Sequence, residues 1–247
     1  MTKRLADLVT VFLIIAALAF SPFAAEADHL IKGKKHTDAM SMMGQPAKDE
    51  DTTTWLGKDK MRQDVGEITN LIRMDVNKMY IINHADKTYS EMDLPLNLDD
   101  ILPPEAKQMM DAMDISSNIT DTGETQTINN WACQKYLIEI SVSMMGMDMP
   151  IKMDMWTSKD LGVDLNEFKE LYTQILETNP VFKDFIGEFE KIGGYPILTE
   201  FSMSMMGTEQ KYKEEVLSAE KMTPPAGTYD LPEGYTKTAF NPLDQRR

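Results

Sequence analysis

Cysteine is almost missing from this chain. Cys133 is the only one, so no internal disulfide can form and a folded domain must be held by its core. Histidine is scarce too: His29, His36 and His84 stand far apart and cluster with no other ligand type. The sequence contains no G-x-S-x-G, no H-E-x-x-H, no phosphate-binding P-loop and no C-x-x-C. Carboxylate neighbours such as Asp99-Asp100 and Glu188/Glu190 are expected in a chain this acidic, and no apolar pocket around them is legible. The chain therefore reads as non-enzymatic, with no cofactor and no metal ligand set. Positive charge is also in short supply. Lys and Arg number 25 against 40 Asp and Glu, a net charge of −15, which repels nucleic acid and anionic headgroups. The local basic patch Lys58-Asp59-Lys60-Met61-Arg62 reads as a solvated strand face paired with acidic neighbours, or else as a contact for a partner or a lipid headgroup.

Long apolar runs are confined to the N-terminus. Lys3 and Arg4 precede an apolar run from Leu8 to Phe20, and Ala25-Glu26-Ala27 supplies a small-x-small exit. This is the pattern of a secretory signal peptide over residues 1–27, with cleavage expected after Ala27. The run is short for a membrane span, so the mature chain is expected to be periplasmic or secreted with no stable span. From 247 residues, removal of 27 leaves 220, enough for one large β-rich domain with its own core.

The most legible stretch runs from Trp131 to Trp156. Tyr136, Ile138, Ile140, Val142 and Met144 alternate with a mostly polar set, Lys135, Glu139, Ser141 and Ser143. Beyond Met145-Gly146 the alternation resumes as Met147, Met149, Ile151, Met153 and Met155. Period-2 alternation marks a strand with one buried face. Folding the stretch about Met145-Gly146 sets Val142 against Met149 and Ile140 against Ile151, so both apolar sets share one side.

Elsewhere the chain predicts strands over 28–43, over 52–65 with a kink at Gly57-Lys58-Asp59, and over 68–75, 78–84 and 88–92. Together they suggest an antiparallel meander. Pro103-Pro104 and the residues after them predict a short helix over about 99–113. Ile115–Thr122 and Glu124–Asn129 suggest a hairpin about Thr122-Gly123. Asp164 with Glu167 resembles a capping box. From there two helices are expected over about 164–192, one presenting Leu165, Phe168, Leu171 and Tyr172, the other Phe182, Phe185, Ile186 and Phe189. Tyr195–Met206 and Glu209–Glu220 return to strand, and the proline-rich tail over 223–247 is expected to lie extended along the body. Ser-Met-Met-Gly occurs three times, at Ser41–Gly44, Ser143–Gly146 and Ser204–Gly207, each where a strand should turn.

Three motifs, Trp131-x-Cys133-x-Lys135-Tyr136, Met155-Trp156-Thr157-Ser158-Lys159-Asp160-Leu161 and Gly193-Gly194-Tyr195-Pro196, together resemble an uncharacterised family of exported bacterial proteins, a domain of unknown function. That family is similar in fold to the lipoprotein carriers LolA and LolB and to the mycobacterial lipoprotein LppX. The resemblance implies an α+β fold: an open, strongly curved antiparallel half-barrel over 28–222, with helices covering its concave face. The missing lipid-anchor cysteine departs from LolB and LppX, and no carrier motif aligns, so no functional residue is carried over.

On this basis the candidate ligand-binding residues are Tyr136, Ile138, Ile140, Met149, Ile151, Met153, Met155, Phe201 and Met203. They would line a cavity for a hydrophobic or lipidic ligand, carried or scavenged, with a lipoprotein or other envelope protein as a further partner. Ordinary core packing is the competing account of the same residues. Two other functions stay open: an envelope structural or interaction protein with a solid core, and a copper-binding module, since methionines two apart place thioethers on one strand face and soft sulfur selects Cu(I). Cys133 reads either as a small buried residue or as a partly exposed thiol.

Overall fold

The computed structural model describes residues 27–39, 46–96, 113–144, 147–177, 183–205 and 208–240. The segments expected as a leader and as a helix before Met113, and the Met-Gly tips of the three tetrapeptides, lie outside them. The strands are β1 (Asp28–Thr37), β2 (Lys48–Leu56), β3 (Lys60–Val65), β4 (Ile68–Arg73), β5 (Lys78–Asn83), β6 (Thr88–Asp93), β7 (Met113–Ile128), β8 (Trp131–Met144), β9 (Met147–Ser158), β10 (Tyr195–Met205), β11 (Thr208–Met222) and β12 (Thr236–Thr238). Between β9 and β10 come α1 (Leu165–Glu177) and α2 (Lys183–Phe189).

Among the described residues these strands form one sheet, ordered β12-β6-β5-β4-β3-β2-β1-β11-β10-β9-β8-β7. Two meanders, β1 to β6 and β7 to β11, meet where β1 pairs antiparallel with β11. All pairs are antiparallel except β12 on β6. β7 and β12 are the two edges, so the sheet is open.

The β1–β11 seam depends on one small residue. Its register shifts between Lys32 and Gly33, and a side-chain carbon on Gly33 would collide with the Glu215 carbonyl oxygen and the Thr52 hydroxyl. Only glycine lets the two backbones approach this closely.

Local chemistry explains where the observed elements depart from the sequence pattern. The segment 52–65 is two strands, because Gly57-Lys58-Asp59 forms a turn closed by Gly57 N–H donating to Lys60 O at 2.9 Å. The hairpin expected about Thr122-Gly123 is instead one continuous strand, β7, with a bulge between Asp121 and Thr125 and Gly123 at φ 72°. The true reversal is Asn129-Asn130, at φ 47° and 74°, a pair of left-handed residues suited to a two-residue turn. Asn129 is further held by its amide, which donates to Glu215 Oε1 at 2.7 Å and to Val216 O at 2.9 Å. The central hairpin has the expected register: Val142 faces Met149, Ile140 faces Ile151 and Ile138 faces Met153.

Both helices pack on the sheet through apolar side chains. Asp164 caps α1, its carboxylate accepting from the Asn166 and Glu167 amides at 2.9 and 3.2 Å. Phe168 and Leu171 of α1, and Phe189 of α2, join Ile119, Tyr136, Ile138 and Ile197 in one buried cluster. α2 is also tied to edge strand β7, where Ile119 N–H donates to Glu188 Oε2 at 2.9 Å.

The tail is anchored to the first meander. Arg62 Nη1 donates to Thr228 O at 3.0 Å and Arg73 Nη1 to Tyr229 O at 2.9 Å. The Tyr229 hydroxyl donates to Asp28 at 2.5 Å. Further on, Tyr235 meets His84 at 2.9 Å, and Thr236–Thr238 then adds β12 to the edge of β6. The tail thus carries a strand of its own, which its proline content concealed.

Gly33→Ala should lower thermal stability by about 2 kcal/mol or more, because the obstacle is backbone. Gly187→Ala, at an exposed position of α2 with open space around it, should instead gain up to about 1 kcal/mol from helix propensity. Ile138, 1% exposed, should cost about 3 kcal/mol on truncation to alanine. Chemical denaturation of the three variants checks all of these; a neutral Gly33→Ala would refute the account of the seam.

Candidate functional site

Register places all nine candidate residues on one face of three neighbouring strands. Tyr136, Ile138 and Ile140 of β8 stand opposite Met155, Met153 and Ile151 of β9, and Val142 opposite Met149. Met153 stands opposite Phe201 of β10, and Ile151 opposite Met203. Met149 and Met203 are placed by backbone register alone.

The face is unevenly buried. At the helix end Tyr136 and Ile138 are buried, 4% and 1% exposed, and the Tyr136 hydroxyl accepts the Gly193 amide at 3.0 Å. Ile140, Ile151 and Phe201 are half-buried, and so are Met155 opposite Tyr136 and Met153 opposite Ile138. The structure therefore separates the nine: Tyr136 and Ile138 are core, whereas those five keep apolar surface in reach of solvent.

The same face continues onto β11 and β1. Phe201 stands opposite Tyr212, their rings stacked with centroids 4.4 Å apart and planes 8° from parallel. Thr199 stands opposite Glu214, which in turn faces Lys35 of β1. Aromatic rings from the helices complete this region: Phe168 lies 4.6 Å from Tyr172 and 4.9 Å from Tyr195, and Phe189 lies 6.2 Å from both Tyr172 and Phe185.

Electrostatics single out Glu214. Its side chain is exposed, yet lost hydration holds its carboxyl above the ordinary glutamate range, with Lys35 pulling the other way. Both are consistent with a group open to water on one side and surrounded by protein on the others. The nearby phenols respond in kind. Burial, aided by the Glu214 charge, pushes Tyr172 up to about 12 and raises Tyr195 well above its usual value. Sequence reasoning missed Glu214 and Tyr212, although their even spacing with buried Val216 along β11 was a usable signal. It also missed Tyr172 and Tyr195 as neighbours of a charge, because a contact between helix, β10 and β11 leaves no trace in spacing.

Other candidates resolve differently. Cys133 is buried, 3% exposed, its thiol pushed up chiefly by burial and lying 3.4 Å from Trp131 O. It lines an open depression of about 550 Å³ with Lys159, Asp160 and Gly193. The opposite side of the sheet carries a depression of similar volume among Leu137, Lys152, Asp154, Glu200 and Lys213. Ion pairs furnish that surface, Lys135 with Asp154 at 3.0 Å and Lys152 with Glu139 at 3.2 Å. Of the basic patch, Arg62 is committed to Asp64 and the tail, and Lys60 pairs with Asp75 at 3.6 Å. Among the described residues, no group of three or more His, Cys, Asp or Glu side chains could hold a metal ion, and no helix is long and apolar enough to cross a membrane.

The Glu214 carboxyl has a consequence for stability. A folded-state value above 4.5 means the fold favours the protonated form. That contribution is full below the unfolded value and is lost as pH rises through the folded one. Glu214→Gln should therefore melt higher than the wild type at neutral pH, with the difference vanishing well below pH 4.5. Thermal melts across pH check this; a Gln variant less stable at neutral pH would contradict it.

Comparison with known proteins adds a family but no chemistry. A solved structure described as PNGF-II in a C2 space group is similar at 12% identity with a TM-score of 0.40, covering 89% of this chain and 32% of that one. This chain therefore spans about a third of that protein's length. The search of curated proteins found no match. Residues 37–235 match the model of the family described as a domain of unknown function, DUF4412, and the chain belongs to that family.

Proposed function

We propose that this protein is an exported, periplasmic or secreted, non-enzymatic binding protein that holds a hydrophobic or lipidic ligand, as carrier or scavenger. In this reading the open sheet curves as a half-barrel and α1 and α2 cover part of its concave side, as in LolA-like carriers. The observation that carries it is the uneven burial of the apolar face. Tyr136 and Ile138 are sealed, while Ile140, Ile151, Met153, Met155 and Phe201 of the same face remain half-buried. An ordinary core would seal Met153 and Met155 as it seals Ile138 and Tyr136 opposite them.

The physical basis is burial of alkyl chain against that surface, at about 0.8 kcal/mol per methylene. Thioethers suit such a ligand because methionine adapts its shape to irregular apolar partners. The tyrosine hydroxyls and Glu214 at the side of the face would fix the ligand's polar end, as polar groups do in predominantly apolar sites.

Delipidated protein should take up one equivalent of a fluorescent acyl-chain probe, measured by titration. Ile151→Asp should weaken uptake by about tenfold or more, since it sets a charge where methylenes would lie. No uptake by the wild type would end this reading and leave a solid-core interaction protein ahead of it.

A further inference from the structure

Building on that ligand-binding reading, we propose that Glu214 is the polar anchor of the site and that the bound amphiphile carries a cationic head, a protonated amine or a quaternary ammonium. Glu214 sits on β11 two residues from Tyr212, on the face where Phe201 and Tyr212 stack at 4.4 Å. An alkyl chain lying along Met153 and Ile151 therefore ends beside this carboxylate.

Among the described residues Glu214 makes no hydrogen bond and no salt bridge. Its sequence neighbour Glu215 differs sharply, accepting from Asn129 at 2.7 Å and pairing with Lys213 at 3.1 Å. Glu91, Glu188 and Asp75 are likewise paired. The charge that acts on Glu214 is the Lys35 ammonium from β1, and the phenols of Tyr172 on α1 and Tyr195 on β10 lie near enough to feel the Glu214 carboxylate. The carboxylate stands open to solvent across from Lys35, and a cationic ligand head would give it a direct partner.

The surroundings favour a cation of one kind. Tyr172, Tyr195, Tyr212 and Phe201 bring aromatic rings to the same region, and ring faces attract ammonium groups. A protein of net charge −15 also draws in cationic amphiphiles and repels anionic ones. Lys35, opposite Glu214 in the β1–β11 register, would then meet an anionic group attached to the same head, so that a zwitterion fits as well.

The test is calorimetric titration at neutral pH with two probes of equal chain length, dodecyltrimethylammonium and dodecanoate, below their micelle concentrations. The wild type should prefer the ammonium probe by roughly tenfold or more, the scale of a hydrogen bond or contact to a charged group. Glu214→Gln should erase that preference by weakening the ammonium probe, with dodecanoate binding no weaker than in the wild type. Glu200→Gln, an exposed residue on the opposite side of the sheet, makes the same change in net charge and should keep the preference. Equal affinities for the two probes, or a preference that survives Glu214→Gln, would overturn the anchor while the hydrophobic site stands. Binding of neither probe would overturn both. Glu214→Asp should keep part of the preference, and its complete loss there with a normal melt would also count against a charge-based anchor.

Discussion

The pairing of β1 with β11 is the contact on which the rest of the sheet depends. Each meander is built from local hairpins, but neither has a partner for its first or last strand until the two ends meet. That meeting joins residues nearly two hundred positions apart, from Asp28 opposite Met222 to Thr37 opposite Tyr212. The loop closure it requires is an entropic cost that local strands do not carry. At Gly33 its backbones leave no room for a side-chain carbon, which would meet the Glu215 carbonyl and Thr52. The seam also puts Lys35 across from Glu214 and Thr37 across from Tyr212, so it assembles the polar side of the candidate site as well as the fold.

An open sheet must manage its edges, since an unpaired strand templates aggregation. At one side the tail does this. Arg62 and Arg73 hold the carbonyls of Thr228 and Tyr229, and the chain is guided on to lay β12 against β6. At the other side β7 is interrupted by the Asp121–Thr125 bulge, carries many exposed polar residues and is tied to Glu188 of α2. Bulges and charges are the usual means of keeping an edge from pairing with another chain.

The parts of this fold that could be read in advance are those governed by short-range rules. Period-2 alternation fixed the β8–β9 register because a one-residue slip would turn every apolar side chain to water. Asp164 announced α1 because a carboxylate before an apolar 3.6-residue pattern satisfies the first free amides. Turn placement was less secure. Thr122-Gly123 looked like a reversal because glycine accepts positive φ, but here that freedom serves a bulge, and the reversal falls to Asn129-Asn130, whose side chain finds Glu215 and Val216 from a distant strand. At Gly57 the opposite happened: a feature that looked like a kink is a full turn.

The sequence by itself determined that this is an acidic, disulfide-free, strand-rich chain with a methionine-rich apolar face, and it set which residues share that face. Alternation and charge are local properties, and no distant contact is needed to express them. Only the tertiary structure decided how far the face is sealed, which of its side chains keep apolar surface accessible, and that Glu214 stands beside it. Those depend on where α1, α2, β11 and β1 come to rest, and hydration of a side chain is fixed by everything packed around it rather than by its neighbours along the chain.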